Sequence, residues 1–371
     1  MSPKFGEARR GVLLMPRPQP VPAAIRLSSP ARRYPPVVSR GLAIDLGTAT
    51  TLVYERQSGA LLAERSALAL HKDTGAVVAA GGDAWRMIGS TPDNVVVVRP
   101  LRSGAISDYD VTAKLLELVL ARAGAGRWSR PHTLVSVPSA STAVERRAMK
   151  EATLAAGARS CRLFPQPLAA GLGVGLPICE PVGSFVVDLG GGKTQVALMS
   201  LGGLVSSTTL EIGGFDLDAS IQRYVRDEYA LEIGERTAEA VKITIGSAWP
   251  LPEREKAEVT GRDLASGFPK SIIVTSGEIR EAISEQLRAL IVATIACMSA
   301  SPPELVEDVM SRGITLTGGG SLLTGLDILL AEETGVPVHL SDRPFESVVR
   351  GAGRALGSKD VLDSLILDME P

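Results

Sequence analysis

Two glycine-rich turns, each opened by an aspartate, are the segments of this sequence best suited to chemistry. Asp45 opens D-L-G-T-A-T-T and Asp188 opens D-L-G-G-G-K-T, at an offset of 143 residues. Each turn lies between two apolar runs, which predicts a strand on either side. Glycines let backbone N–H groups approach a phosphate, and an aspartate at a strand end can hold the water shell of Mg²⁺. One such turn would be an ordinary hairpin, but the matched pair favours a polyphosphate clamped between two related halves.

The second turn ends in G-K-T, as a P-loop does, but its spacing differs. A P-loop has its first glycine six residues before the lysine, and this chain has Val187 there. A P-loop must also lead into a helix, whose first amides bind the phosphates. Residues 194–200 instead alternate like a strand and reach a glycine turn. The sequence therefore predicts strand, glycine turn and strand.

A third glycine-rich segment covers residues 313–330 and reads GITLTGGGSLLTGLDILL. Its first half predicts a short strand and an open turn, against which a flat ligand can lie. Its second half predicts a helix with Leu322, Leu326, Leu329 and Leu330 on one face. This motif does not identify a ligand by itself.

Size and composition limit the classes of protein to which this chain can belong. The 371 residues allow two or more domains, and 45% hydrophobic with 22% charged residues is typical of a soluble globular protein. The sequence has no apolar run near the roughly 20 residues that a membrane span needs. Its cysteines and histidines lack disulfide or zinc spacing, which fits buried thiols in a reducing cytoplasm. They are Cys161, Cys179, Cys297, His71, His132 and His339.

The first 40 residues differ from the rest in composition. They hold eight prolines, eight Lys or Arg and one acidic residue. Such a segment buries too little apolar surface to order itself, so we predict a disordered basic Pro-rich tail over 1–40. It lacks the features of a signal peptide, and its charge would suit anionic lipid. A linker-like tail, or a start codon placed too early with Met15 as a later candidate, are the alternatives.

The remaining pattern alternates strands with helices and predicts an α/β fold. Residues 132–138 read as a buried strand and 108–122 as a helix with one apolar face. A capping box, Thr142-x-x-Glu145, opens a helix over 142–156, so Glu145 is expected to cap the helix and not to act as a base. The predicted units are a first domain over 41–183 with a small insert about 73–99, a second over 184–357 with a helical insert about 216–300, and a C-terminal tail over 358–371.

Across residues 41–357 the chain resembles the MreB/Mbl group of bacterial actin-like proteins, within the actin, sugar kinase and Hsp70 ATPase superfamily. Long stretches carry the resemblance, among them IDLGTATTLVY, VERRAMKEATLAAGAR, SFVVDLGGG and SRGITLTGGGSLLTGLD. It implies an actin-like fold, in which two related ribonuclease H-like domains surround a nucleotide cleft and each carries a smaller inserted subdomain. It also implies ATP-dependent filaments that attach to the membrane and guide cell-wall synthesis.

The resemblance assigns the site motif by motif. ATP (or GTP) would bind with Mg²⁺, which Asp45 and Asp188 would hold through water. Glu239 and Lys242 would reach the ribose and base, although the residues alone favour a solvated ion pair. Gln166 would orient the attacking water. The implied nucleotide-binding residues are Asp45, Gly47, Thr48, Ala49, Thr50, Asp188, Gly190, Gly191, Gly192, Lys193, Glu239, Lys242, Gly319, Gly320, Ser321 and Leu322.

Five residues depart from the usual family pattern. Lys193 and Gln195 stand where the family has threonine and glutamate, and Gln166 replaces a glutamate that helps position the attacking water. Phe215 and Ala219 take places that are usually acidic. Phosphoryl transfer to water needs an oriented nucleophile and neutralised phosphate charge. We therefore predict that ATP binding is retained and that hydrolysis is slow or absent.

The resemblance also implies partners and a location. The expected partners are further copies of the chain or a second MreB-type subunit in filaments, the inner membrane surface and cell-wall synthesis proteins, with no nucleic acid. Trp128 lies between two arginines and suits the headgroup level of a membrane, although a Trp packed on its own domain is the alternative. The expected location is cytoplasmic, peripheral at the inner face of the cell membrane.

Other functional classes are possible for this fold. A metabolite kinase would need a further catalytic carboxylate near the γ-phosphate, and none is placed to serve. An Hsp70-type chaperone would normally need a further β-rich substrate domain. A regulatory paralogue, which co-assembles with a standard MreB without polymerising alone, stays open because of the departures in the loops.

Overall fold

The fold is described here from a computed structural model. It describes residues 41–357, except for 60, 103, 127–128 and 253–254. The predicted tails over 1–40 and 358–371 lie outside the described residues, and so does Trp128.

The first domain is built on a mixed five-stranded sheet. Its strands are β1 (Gly41–Leu46), β2 (Thr50–Glu55), β3 (Leu61–Arg65), β9 (His132–Val137) and β10 (Ser160–Pro165). Their order across the sheet is β10-β9-β1-β2-β3. β1 pairs antiparallel with β2 and parallel with β9. The turn after Asp45 therefore joins two neighbouring strands of one hairpin, as predicted.

The second domain repeats this sheet. Its strands are β11 (Ser184–Leu189), β12 (Thr194–Ser200), β13 (Gly203–Leu210), β17 (Ile314–Thr317) and β18 (Val338–Leu340). The order β13-β12-β11-β17-β18 has the same pattern of antiparallel and parallel pairs. Asp45 pairs with Leu52 and Asp188 pairs with Gln195, so the two hairpins share one register. The internal repeat is confirmed, and the absence of a helix after Thr194 rules out a P-loop.

A small sheet is inserted in the first domain. It contains β4 (Leu68–His71), β5 (Val77–Ala80) and β6 (Val95–Val98) in the order β5-β4-β6, with α1 (Gly82–Met87) packed beside it. The insert was predicted to begin near residue 73 and begins at Leu68, because a bend at Ser66 separates β3 from β4, and β4 pairs within the small sheet. A two-stranded hairpin follows, formed by β7 (Leu101–Arg102) and β8 (Ala105–Ile106).

Two helices cover one face of the first sheet. α2 (Tyr109–Arg122) begins where the Asp108 side chain accepts a hydrogen bond from the Val111 N–H, at 3.0 Å. α3 (Ala143–Ala155) begins at the predicted capping box, in which the Thr142 side chain accepts from the N–H of Glu145. Both helices bury an apolar face against the sheet, which confirms the helices predicted over 108–122 and 142–156.

Two further helices form a layer between the sheets. α4 (Gln166–Val174) and α11 (Ser347–Ala355) cross in backbone contact, because a Cβ added to Gly351 would overlap the carbonyl oxygen of Ala169. Buried residues from both sheets pack around this crossing, so the two domains share one apolar core. These residues include Ala43, Leu52, Leu134, Val186 and Met199.

The insert of the second domain is mixed, and the prediction of a helical insert over 216–300 is wrong. Its helices are α5 (Gly214–Tyr229), α6 (Glu235–Ile245), α7 (Ser276–Ala282) and α8 (Ser284–Ser299). Between them lie β14 (Leu231–Glu232), β15 (Lys256–Asp263) and β16 (Pro269–Thr275), which form one antiparallel sheet. Ala257 and Val259 alternate with outward residues along β15, which is a strand pattern that the helical prediction passed over.

The third glycine segment also differs from its prediction. β17 is followed by a 3₁₀ turn over Gly319–Leu322 and then by α10 (Leu326–Thr334). The helix begins late because Gly325 adopts a left-handed conformation, with φ of 74°. Leu322 therefore lies in the turn, 49% exposed, and does not share a helix face with Leu326.

The remaining elements complete the second domain and its surface. They are α9 (Pro303–Arg312) and a 3₁₀ turn over Pro344–Glu346. No single helix within the described residues is long and apolar enough to cross a membrane. α7 and α8 together meet that length and composition only as a pair bent by 58°.

Candidate functional site

The two aspartate turns face each other and touch. A Cβ added to Gly191 would lie 2.6 Å from the Cβ of Ala49, and one added to Gly192 would lie 2.7 Å from Oγ1 of Thr48. Side chains at these glycines would therefore push the domains apart. The structure brings together the two predicted phosphate loops, which are 143 residues apart in sequence.

The backbone closes each turn in the same way. The N–H of Gly47 donates to the Thr50 carbonyl at 3.2 Å, and the N–H of Gly190 donates to the Lys193 carbonyl at 2.9 Å. The glycines of both turns present backbone to the space between the domains, with no Cβ in the way. This arrangement is suited to cradling an anion such as phosphate.

Asp45 and Asp188 are half-buried at the ends of β1 and β11. Burial raises the pKa of Asp45 to about 6, and a hydrogen bond from Gln166 opposes that rise. Burial raises the pKa of Asp188 to about 7, and the like charge of Asp45 raises it further. Two half-buried carboxylates, one of which is disfavoured as an anion by the charge of the other, are a donor set that fits a shared divalent cation, held through its waters.

A chain of side-chain amides connects Asp45 with the second domain. The N–H of Ser139 donates to Oε1 of Gln195 at 3.0 Å. Nε2 of Gln195 donates to Oε1 of Gln166 at 2.6 Å, and Nε2 of Gln166 donates to Oδ1 of Asp45 at 3.1 Å. We call these four residues the amide chain. It includes two of the residues that depart from the family pattern.

The Lys193 side chain reaches across to the first domain. It packs against Gly104 in the β7–β8 hairpin, where an added Cβ would touch the Lys193 side chain. It lines a cavity of about 450 Å³ between the domains, together with Glu145 and Glu211. Burial lowers the pKa of Lys193, and these two glutamates oppose the change. Lys193 therefore supplies its carbonyl to the turn, while its ammonium group lies in this side cavity.

Glu239 and Lys242 on α6 each pair with another residue. Glu239 binds Arg65 of the first domain at 3.0 Å. Lys242 contacts Asp218 at 2.8 Å and donates to the Gly214 carbonyl at 2.7 Å. The solvated pair between Glu239 and Lys242 is not what the structure shows, since both side chains are mostly buried and paired elsewhere.

The third glycine turn lies against the second. A Cβ added to Gly318 would lie 2.5 Å from Oδ1 of Asp188, and Gly320 approaches Leu189 equally closely. Ser321 is buried and donates to the Gly318 carbonyl at 2.6 Å, which fixes the turn. Gly319 lies against Phe345, and only Leu322 is largely exposed. The predicted turn thus lies beside the end of β11, next to Asp188.

Sequence reasoning missed a glycine pair that supports the second turn. The N–H groups of Gly214 and Phe215 donate to the carbonyls of Gly190 and Gly191 at 2.9 and 2.8 Å. A Cβ added to Gly213 would lie 2.6 Å from the carbonyl carbon of Gly191. The G-G dipeptide after β13 was a visible turn pattern, but its contact with a turn more than 20 residues earlier was not.

A cluster of aromatic and charged side chains joins the domains at the inserts. Trp85 of α1 stacks on Phe215 of α5, with ring centroids 5.8 Å apart. The Arg99 guanidinium lies 4.8 Å from the Trp85 ring centre and 4.3 Å from that of Phe215. The Arg65 guanidinium also lies over the Trp85 ring, 4.5 Å from its centre, and it binds Glu239. Arg99 binds Glu235. We call these six residues the clasp.

The comparisons with known proteins agree with this architecture. The family model described as MreB/Mbl protein matches residues 39–364. The cell shape-determining protein MreB of Escherichia coli K12 is 44% identical over 89% of this chain and 97% of its own length. The cell shape-determining protein Mbl of Bacillus subtilis 168 is 41% identical over 87% of this chain and 98% of its own length. The crystal structure of Spiroplasma citri MreB5 bound to ADP has a TM-score of 0.83 at 31% identity, covering 87% of this chain and 97% of that one.

The fold and its structural match define the class of protein. Two repeated mixed sheets with facing glycine turns, matched to the MreB5 structure, are the actin-like α/β fold that the sequence predicted. Family-model coverage and identity over nearly the whole length of both relatives then fix the group. The chain belongs to the MreB/Mbl family.

Replacing Asp188 by asparagine should stabilise the ligand-free protein at alkaline pH. Because the folded pKa lies above the ordinary value of 3.8, stability falls as pH rises from about 4 through about 7. Asp188→Asn removes this loss, so we expect about 1–2 kcal/mol more stability at pH 8, given that water in the cleft screens the charge. Urea unfolding from pH 5 to pH 8 measures it, with exposed Asp93→Asn as the control. A gain that does not grow with pH would contradict the prediction.

Removing the aromatic ring of Phe215 should loosen the clasp. Phe215→Ala deletes one stacked pair and one cation–π contact, which together stabilise by about 1–2 kcal/mol. Trp85 is buried under this ring, so acrylamide should quench the variant's tryptophan emission more strongly than that of the native chain. Phe268→Ala is the matched control, since Phe268 is 72% exposed on the β15–β16 hairpin. Equal quenching of both variants would argue against a closed clasp.

Proposed function

We propose that this chain is a nucleotide-dependent filament protein of the MreB type, which binds ATP (or GTP) with Mg²⁺ between its two domains. The observation that carries the proposal is the contact of Gly191 and Gly192 with Ala49 and Thr48, which sets two anion-binding turns face to face. The MreB5 relative has been crystallised with ADP and with AMPPNP. The same turns in this chain would hold the phosphates.

The metal would be held by the two aspartates. Asp45 is close enough to raise the cost of ionising Asp188, and a hydrated Mg²⁺ between the two carboxylates would offset that cost. The bound ion would neutralise charge on the phosphate oxygens. Glu239 and Lys242 would reach the ribose and base after exchanging part of their bonds to Arg65 and Asp218 for the ligand.

Hydrolysis is proposed to be slow. Gln166 is neutral where the family usually has a glutamate, so it can orient a water through its oxygen but cannot take a proton from it. Lys193 replaces a threonine, and its side chain lies against Gly104 in the side cavity. This position therefore supplies no hydroxyl group to the cleft. Nucleotide binding does not depend on either change.

The wider proposal follows the family. The relatives are named cell shape-determining proteins. We infer that this chain forms filaments with itself or with a second MreB-type subunit, and that it meets cell-wall synthesis proteins at the inner face of the cell membrane. Contact with lipid would involve the basic residues of 1–40 and Trp128.

A regulatory paralogue is the second candidate. Gln166, Lys193 and Phe215 depart from the family pattern, and in the structure all three bond or pack across the domain boundary. A chain whose domains are held in one arrangement would be suited to joining a standard MreB filament without driving its own assembly cycle.

Calorimetry and phosphate release test the nucleotide site. With millimolar Mg²⁺ we expect the native chain to bind ATP or GTP, and Asp188→Ala to weaken binding at least about tenfold because it removes half of the metal site. Asp93→Ala, in an exposed turn, is the control. No heat with either nucleotide would refute the proposal. A turnover as fast as that of the Escherichia coli relative would refute only slow hydrolysis.

Electron microscopy with vesicles tests the assembly proposal. With Mg²⁺ and ATP we expect filaments on vesicles that contain anionic lipid, and Trp128→Ala should reduce co-sedimentation because it removes an interfacial anchor. Phe268→Ala, another aromatic truncation, should pellet like the native chain. Filaments that form only with a second MreB-type protein would select the regulatory candidate, and no filaments under any condition would refute assembly.

A further inference from the structure

The amide chain has a direction that its two ends determine. At one end the backbone N–H of Ser139 can only donate, so the oxygen of Gln195 must face it. At the other end the carboxylate of Asp45 accepts, so the NH₂ group of Gln166 must face it. The two glutamines can meet these demands in one way only, with Nε2 of Gln195 donating to Oε1 of Gln166. The orientation of both amides is thus fixed without reference to a ligand.

The amide chain crosses the boundary between the domains. Ser139 follows β9, Gln166 begins α4 and Asp45 lies on β1, all in the first domain. Gln195 lies on β12 of the second domain, directly across the hairpin from Asp188. It is only 2% exposed, so no water competes for its bonds. Gln166 therefore receives a second orienting hydrogen bond, from Gln195, that depends on the contact between the domains.

Within the part of the chain that the structure describes, Oε1 of Gln166 accepts one hydrogen bond, from Gln195, and its second acceptor position has no protein donor. An amide oxygen has two lone-pair positions, and Gln195 occupies one of them. Gln166 bonds Asp45, which borders the space between the facing turns. A water that donates a hydrogen bond to Oε1 of Gln166 would therefore lie beside Asp45 in the cleft. If the Gln166 amide were flipped, its NH₂ group would take this place, and it would not accept from the water.

We propose that Gln195 is a positioning residue, which sets the Gln166 amide so that its oxygen orients the attacking water when the domains close. This inference rests on the proposed nucleotide site. It gives the two glutamate-to-glutamine departures one explanation, because the residues are bonded and each fixes the other's orientation. Gln195 acts through Gln166 and does not itself touch the ligand.

Truncating the two glutamines separately and together tests this role. Gln195→Met and Gln166→Met keep approximate volume and remove the bonds. In single-turnover phosphate release we expect each to lower the rate about tenfold or more at unchanged ATP affinity, and the double variant to be no slower than either. Gln222→Met is the control, because Gln222 bonds one carbonyl in the second domain away from the cleft. Native-like rates in Gln195→Met, or rate losses that multiply, would overturn the proposal.

Thermal unfolding of the ligand-free variants keeps this test independent of the nucleotide proposal. Each single substitution should lower the midpoint by about 4 °C, since it leaves buried polar atoms unpaired. The double variant should lose clearly less than the sum, because the second substitution removes the atoms that the first left unpaired. Additive losses would refute the amide chain even if ATP binds. Conversely, if the losses are non-additive but calorimetry detects no nucleotide binding, the amide chain stands and the proposed function is refuted.

Discussion

The structure depends on the bare backbone contact between two turns. Gly191 and Gly192 approach Ala49 and Thr48 so closely that even a methyl group would separate the domains. This contact sets the distance between the two sheets, and so it also sets the distance between Asp45 and Asp188. The raised pKa values of the aspartates, the bonding of the glutamines and the stacking in the clasp all follow from domains held this near to each other.

The closed arrangement is supported at two other places. The crossing of α4 and α11 gives both sheets a common core, and it is stiff because backbone meets backbone at Gly351. The clasp joins the inserts through rings and guanidinium groups, which are held in place by Glu235 and Glu239. The crossing is a close-packed apolar contact of backbone with backbone, whereas the clasp is a set of separate ring and ion-pair contacts.

Many of the strands and helices could be predicted from the sequence, because local residue patterns specify them. Apolar alternation around Asp45 and Asp188 determined both hairpins, and the capping box at Thr142 determined the start of α3. The late start of α10 was missed because the left-handed Gly325 outweighs the leucine spacing. The amide chain and the clasp could not be predicted, because they join residues far apart in sequence. Their existence depends on how near the domains come, which no periodicity encodes.

The shared register of the two hairpins has a consequence for the symmetry of the cleft. A chain built twice from one unit would present its ligand with equal halves. At the place in the first hairpin that corresponds to Gln195, the chain has Leu52, which is buried in the apolar core. This exchange of a hydrocarbon for an amide adds to the differences between the two turns, and it makes the two halves chemically unequal. One flank of the cleft therefore carries a hydrogen-bonding side chain at this register position, and the opposite flank carries only hydrocarbon.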